Sequence, residues 1–329
     1  VCLVYEILII EKSGNLLERK WKMDYFAIET KNITKIYDEQ ICVSNLNMHV
    51  RRGTIYGLLG RNGAGKTTTM KMLLNLIEPT RGKILFSGKS LHENAKKILP
   101  HVGSMIESPG FYPNLTGTEN LKIFARLRKI RNTEVIKSAL ELVGLSFEDK
   151  KLYSQYSLGM KQRLAIALAI MHNPDILILD EPINGLDPIG IAEVREFLRM
   201  LCKENGKTIL ISSHILSEIA MLADDIGIIE HGVLLEEGTI KDLEQKSNKH
   251  ICFKVSNPEY ASRLLSANFG ISEWKVEDTG ELVVSQSDLF MPDIIRTFVQ
   301  EDIDVYKASI CEETLEEYFK RITGGKGIG

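Results

Sequence analysis

No stretch of this 329-residue chain is long and apolar enough to cross a bilayer as a helix, which excludes a membrane-spanning body built from it. Charge of one sign is not in excess either. Lys and Arg number 41 against 44 Asp and Glu, a net charge of -3. That balance removes a general electrostatic pull toward nucleic acid or an anionic membrane, although local patches can hide in a balanced total. Five cysteines are scattered (Cys2, Cys42, Cys202, Cys252, Cys311) and none stands in a C-x-x-C pair. The spacing indicates neither a zinc site nor a disulfide framework, and a reducing, cytoplasmic setting fits best. There is no internal repeat, so a solenoid is excluded. What is present is ordinary for a globular protein: 44% apolar and 26% charged residues, in a chain longer than one average domain.

The N-terminal run Val1 to Ile10 is apolar but short, and Glu6 interrupts it. The charged stretch up to Lys22 follows it, whereas a signal peptide places its basic residues first. Met23-Asp24 precedes the first expected strand, so residues 1–22 are expected to be an upstream extension. From there to Val50 the pattern alternates as half-buried strands do, over 27–34 and 41–50. Helical spacing prevails from about 115 to 172, and a helical subdomain is expected over about 100–172. Ile176–Leu179 and Thr208–Ser212 are short, continuously apolar runs, as in strands buried on both faces. The helical segment 189–204 between them makes a β-α-β unit and hence a parallel sheet. Asp225 to Leu235 reads as a closing hairpin. Beyond a helix and linker at 238–249 the order becomes strand 251–256, helix 258–268, strands 273–277 and 281–285, helix 290–300, strand 303–309 and helix 313–322. The expected organisation is an α/β domain over 23–240, a small α+β accessory domain over 241–323 and a flexible tail at 324–329.

The segment Gly60, Arg61, Asn62, Gly63, Ala64, Gly65, Lys66, Thr67 fits the phosphate-loop pattern G-x-x-x-x-G-K-[ST]. An apolar strand enters it and a helix beginning near Thr67 and Thr68 leaves it. Glycines let the backbone turn N–H groups inward, and the helix N-terminus adds partial positive charge where phosphate oxygens sit. Lys66 is placed to reach the β- and γ-phosphates of a nucleotide, and the Thr67 hydroxyl to ligate Mg²⁺. Asp180 ends the buried strand 176–179, a position that calls for a cation partner; it faces Mg²⁺ in this reading. Glu181 follows and can act as general base on an attacking water. Taken alone, the two would pass for surface acids at a strand end. Ser157 is a good N-cap for a helix running to about His172, and Gly159 allows close backbone approach. This is a second helix N-terminus suited to phosphate, although by itself a plain capped helix would look the same.

The phosphate loop, Ser157-Leu-Gly-Met-Lys-Gln-Arg163, Asp180-Glu-Pro182, Gly185-Leu-Asp-Pro188 and Ser212-Ser-His214 follow one another as in an ABC transporter ATP-binding subunit, and residues 24–240 resemble that family. The resemblance implies an α/β P-loop fold: a RecA-like core with an antiparallel β subdomain and an α-helical subdomain. It also implies ATP and Mg²⁺ as ligands, ATP hydrolysis, and a head-to-tail dimer of two copies. By the same resemblance Tyr37 stacks on adenine, Ser157 and Gly159 contact the γ-phosphate held by the other copy, Asp187 links the two sites, and His214 touches the γ-phosphate and helps orient the water.

Two departures from the common family pattern stand out. Glu107 occupies a loop position that usually carries Gln, which would bring an acceptor-only carboxylate toward the Mg²⁺. Met160 stands where the signature usually has Gln. With Ile106-Glu-Ser-Pro-Gly-Phe-Tyr-Pro113, these features resemble the lantibiotic-immunity and bacitracin-resistance subgroup. The resemblance implies export of a peptide antibiotic through separate membrane permease subunits, with this chain cytoplasmic on the inner face of the membrane. An exporter ATPase for another drug or a lipid is the neighbouring alternative. A soluble ABC protein acting on nucleic acid or ribosomes is the alternative from another class, which the charge balance disfavours, and no nucleic-acid partner is expected.

Overall fold

A computed structural model of the chain describes residues 26–107, 109–246, 249–277, 279–284 and 291–324. The expected upstream extension at 1–22 and the tail from 325 onward lie outside the described residues. The chain divides into two compact units, one ending at Ile240 and the other beginning at Lys241.

The first unit holds two sheets. One is antiparallel, built on the long strand Phe26–Tyr37, which pairs with Gln40–Leu46, with His49–Arg51 and with Arg81–Phe86. The other sets six strands side by side in the order Val233–Thr239, Asp225–Glu230, Ile55–Leu59, Thr208–Ser213, Ile176–Leu179, Val102–Met105. Its strands run parallel apart from the edge strand Val233–Thr239, which pairs antiparallel with Asp225–Glu230. Ile55–Leu59 and Ile176–Leu179 are buried at every position, because helices and the other sheet cover both faces. The helix Lys66–Leu73 is wedged between the sheets. Its Met70 and Leu73 share one core with Ile28 and Val50 of the antiparallel sheet and Leu58, Ile178 and Leu210 of the parallel one. Burying each such side chain contributes roughly 1.5–3 kcal/mol, so this core fixes the helix that carries the phosphate loop.

The helical part begins later than residue 100, because Val102–Met105 is a strand of the parallel sheet. Gly117–Leu127 opens the stretch in which helical spacing prevails. Thr116 caps it: its hydroxyl accepts from the Glu119 amide at 3.2 Å while the Glu119 carboxylate accepts from the Thr116 amide at 2.8 Å. Asn120 is fully buried within this helix, and its side chain ties down the preceding loop through both the N–H and the carbonyl of Tyr112. The helix Leu91–Ile98, which has no counterpart in the expectation from sequence, carries one buried residue, Leu91, so its apolar signal is faint.

The second unit is a four-stranded antiparallel sheet in the order Trp274–Val276, Glu281–Val284, Lys249–Val255, Val305–Glu312. Helices Pro258–Phe269 and Met291–Gln300 cover one face, packing Ala261, Leu265, Ile294 and Phe298 on Ile251, Phe253 and Leu282. The chain order β-α-β-β-α-β is the one read from the alternation of periods, and a final helix, Leu315–Ile322, follows.

Candidate nucleotide site

Three adjacent parallel strands end at one edge of the sheet: Ile55–Leu59 runs into Gly60, Ile176–Leu179 into Asp180, and Thr208–Ser213 carries Ser212. This carboxyl edge is where α/β sheets bind ligands. The loop is glycine-rich for steric reasons. A Cβ on Gly60 would lie 2.4 Å from the Ile229 carbonyl oxygen, and one on Gly65 2.8 Å from that of Cys42, at a φ of +106°. Gly65 is the N-cap of Lys66–Leu73 and brings no capping side chain, so the first amides of the helix are available to an anion. Lys66 is buried and folded back across the loop. Its Nζ donates to the carbonyl oxygens of Gly60 at 2.6 Å and Arg61 at 3.1 Å, and lies 3.3 Å from Glu181 Oε1. The Arg61 guanidinium reaches the buried Glu230 at 3.4 Å. Asn62 and Gly63 are exposed and Thr68 is half-buried. Ala64 is buried, and its carbonyl accepts from the Gly232 amide.

Thr67 Oγ1 donates to Asp180 Oδ2 at 2.7 Å, and Ser212 Oγ donates to Asp180 Oδ1 at 2.5 Å. Asp180 is buried, so these two hydroxyls compensate the burial of its carboxylate. Glu181 follows in a left-handed conformation with φ +48°, unfavourable for a non-glycine residue by about 1–2 kcal/mol. Two contacts hold it there. Its amide donates to Ser212 Oγ at 2.9 Å, and its carbonyl accepts from Gln162 Nε2 at 3.1 Å. Its carboxylate meets His214 Nδ1 at 2.9 Å through Oε2. A hydroxyl pair on one carboxylate, and beside it a second carboxylate held between an imidazole and a lysine, can bind a phosphate-bound cation and deprotonate a water.

Other residues singled out in the sequence stand apart from this cluster. Tyr37 closes the strand Phe26–Tyr37 with its ring 43% exposed, available for stacking, and Lys35 Nζ lies 4.8 Å from the ring centroid. Glu107 is two-thirds exposed, and its carboxylate takes the Lys71 ammonium at 2.7 Å. This contact raises the Lys71 pKa. Ser157 is exposed and caps the helix Leu158–Ile170, accepting from the Met160 amide at 3.2 Å. Next to it, Gly159 has room for a Cβ, with Leu186 the first neighbour at 3.5 Å. Nothing inside the chain demands glycine there. Asp187 caps Pro188–Lys203, accepting from the Gly190 amide at 3.0 Å.

Three residues enter the site without having had a role in the sequence reading. Ser212 and Gln162 lie inside the quoted motifs, yet the atoms they touch belong to Asp180 and Glu181, 32 and 19 residues away. Glu218, in the helix Leu216–Ala220, is held above the usual carboxylate range by burial. His214 opposes that shift and Glu181 adds to it.

Residues 43–184 match the sequence profile of the ABC transporter family. The bacitracin transport ATP-binding protein BcrA of Enterococcus faecalis is 49% identical over 92% of this chain and 98% of its own length. The chain belongs to the ABC transporter family. Its place there is that of an ATP-binding subunit, and the α/β cassette fold, ATP binding and ATP hydrolysis expected from the motifs are those of the family. The lantibiotic transport ATP-binding protein SrtF of Streptococcus pyogenes is 42% identical over 69% of this chain and 98% of its own length. Among solved structures, the dimeric bacterial ABC transporter cassette MJ0796 superposes with a TM-score of 0.59 at 25% identity, over 65% of this chain and 98% of that one. No helix among the described residues is long and apolar enough to cross a membrane.

Proposed function

We propose that this ABC ATPase subunit drives export of a peptide antibiotic of the bacitracin type, protecting the cell that makes it. The extent of the match carries this reading. Similarity to the bacitracin transport protein covers 92% of the chain and so runs into the second unit, whereas similarity to the lantibiotic protein covers 69% and uses up that protein's length. Glu107, in place of the usual Gln, supports the same subgroup. The membrane-spanning part belongs to separate permease subunits, which hold this chain on the inner, cytoplasmic face of the membrane. Two copies dimerise head to tail, each presenting Ser157, Gly159 and the start of the helix Leu158–Ile170 to the nucleotide of the other, with Asp187 between the sites. The exposure of Ser157 and the space at Gly159 support that arrangement, and so does the likeness to a dimeric cassette.

The donor set fits Mg²⁺. Thr67 and Asp180 supply hard oxygen ligands 2.7 Å from each other at the loop, and Glu107 stands on the neighbouring loop. When bound there the ion neutralises phosphate charge. The nucleotide phosphates draw Lys66 off the carbonyl oxygens of Gly60 and Arg61 and away from Glu181. Glu181 Oε1, released from Lys66, then accepts the proton of the attacking water. His214 holds Oε2, and Ser212 and Gln162 hold the Glu181 backbone in its strained conformation. Tyr37 stacks against the adenine.

Deleting the gene in its host tests the reading. Sensitivity to bacitracin is expected to rise more than sensitivity to lantibiotics. A copy carrying Lys66→Ala is expected to bind or turn over no ATP and to restore no protection. Unchanged sensitivity to every peptide antibiotic tried would overturn the assignment, and ATP turnover by the Lys66→Ala protein would overturn the role of the loop.

A further inference from the structure

The second unit carries a cluster that has no part in the nucleotide chemistry. Along the strand Lys249–Val255, Ile251, Phe253 and Val255 face the helices and the apolar core, so His250 and Cys252 point to the opposite face of the sheet. Antiparallel pairing puts Cys311 directly across from His250, and Ser309 across from Cys252. One ring nitrogen and two sulfurs are thereby gathered within 4.8 Å of one another. Cys252 is buried and Cys311 half-buried, while the half-buried His250 lines a cleft of about 330 Å³. Lys275, Glu277 and Glu317 are among the residues that line it, the last from the helix Leu315–Ile322.

A disulfide does not suit this geometry. Cys252 and Cys311 are diagonal neighbours, whose Cα atoms the ladder holds roughly 7–8 Å apart. A disulfide wants them at roughly 4.4–6.8 Å. Two sulfurs and an imidazole nitrogen converging from adjacent strands of a rigid sheet are instead the donors that borderline and soft cations select.

We propose that His250, Cys252 and Cys311 form a Cys₂His site for a thiophilic divalent cation of the Zn²⁺ class, its fourth position open to the cleft. Binding replaces two S–H bonds by two metal–thiolate bonds and releases two protons to solvent, with no change of oxidation state. The bound ion clamps Lys249–Val255 to the edge strand Val305–Glu312 of the second unit's sheet.

The test uses the full chain, reduced and stripped of metal, titrated with Co²⁺ in the absence of nucleotide. One equivalent is expected to produce thiolate-to-cobalt charge-transfer absorption, which Zn²⁺ abolishes on displacing it. Oxygen ligands at Thr67 and Asp180 give no such band, which separates the two sites. Cys311→Ser is expected to remove most of the band, Cys252→Ser together with Cys311→Ser all of it, and His250→Ala to weaken binding at least about tenfold. Cys42→Ser and Cys202→Ser leave it unchanged. The half-buried Cys311 and His250 keep the test decisive if the buried Cys252 variant does not fold. No thiolate band with the unmutated chain would overturn the proposal, as would a band that survives the double substitution, or thiol counting that finds Cys252 and Cys311 joined in a disulfide in the untreated protein.

Discussion

Replacing Ser212 by alanine removes one oxygen that serves two residues of the nucleotide site. Ser212 is fully buried; its Oγ donates to Asp180 Oδ1 at 2.5 Å and accepts from the Glu181 amide at 2.9 Å. Alanine leaves a buried carboxylate oxygen short of a donor and a backbone N–H without its acceptor. A hydrogen bond to a charged group is worth about 1.5–3 kcal/mol and one between neutral groups about 1 kcal/mol. Thr67 still holds the other carboxylate oxygen, so the expected loss is toward the lower end of the sum, about 2–3 kcal/mol. Both units contribute to any global signal, and Trp274 reports on the second. Amide exchange of Ile209, Leu210 and Ile211, in the central strand, therefore reads the first unit directly. The same substitution frees the backbone of Glu181, whose left-handed conformation needs an anchor, so kcat for ATP is expected to fall roughly 10–100-fold with a smaller change in KM. A cycle with Asp180→Asn isolates the charged contact as a coupling of about 1–2 kcal/mol. A Ser212→Ala protein within about 0.5 kcal/mol of the parent, turning over ATP at the normal rate, would refute the reasoning.

Other outcomes follow from the same contacts. Glu181→Gln removes the proton acceptor and the partner of both Lys66 and His214; at saturating ATP it is expected to accumulate as a dimer by light scattering, and a strictly monomeric protein would count against the shared site. Glu107→Gln breaks an exposed pair with Lys71 and is expected to change stability by less than about 1 kcal/mol while altering how ATPase activity couples to antibiotic protection. Unchanged protection would make Glu107 a neutral surface residue. His172 is pushed down to about 4 by burial, with Arg128 adding to the effect, so it stays neutral in the folded chain while the unfolded chain protonates below pH 6.5. Stability is therefore expected to fall as pH drops from 6.5 to about 4. His172→Leu should flatten that part of the urea-midpoint profile, and parallel profiles for the two proteins would exclude the effect.

Much of the fold is legible in local pattern. Ile176–Leu179 reads as a doubly buried strand because it is one, and the alternation of periods beyond residue 250 tracks the elements of the second unit to within a few residues. The misses have physical causes. Val102–Met105 contains Gly103 and Ser104 and lacks a strand-like run, yet it pairs with Ile176–Leu179 because the sheet offers it an edge. The start of Gly117–Leu127 depends on the capping box of Thr116 and Glu119, which periodicity does not register.

Sequence by itself determined the phosphate loop, its strand and its helix, because backbone torsions, glycine spacing and helix capping are properties of neighbouring residues. Tertiary structure alone decided that Ser212 bridges Asp180 and Glu181, that Gln162 holds the Glu181 carbonyl, and that Glu107 pairs with Lys71. The same holds for Cys252 and Cys311, which stand 59 residues apart without a metal-binding spacing and face a common histidine across two paired strands. Such meetings depend on strand order and register, which are set by the burial of whole faces and leave no trace in the spacing of the residues that meet.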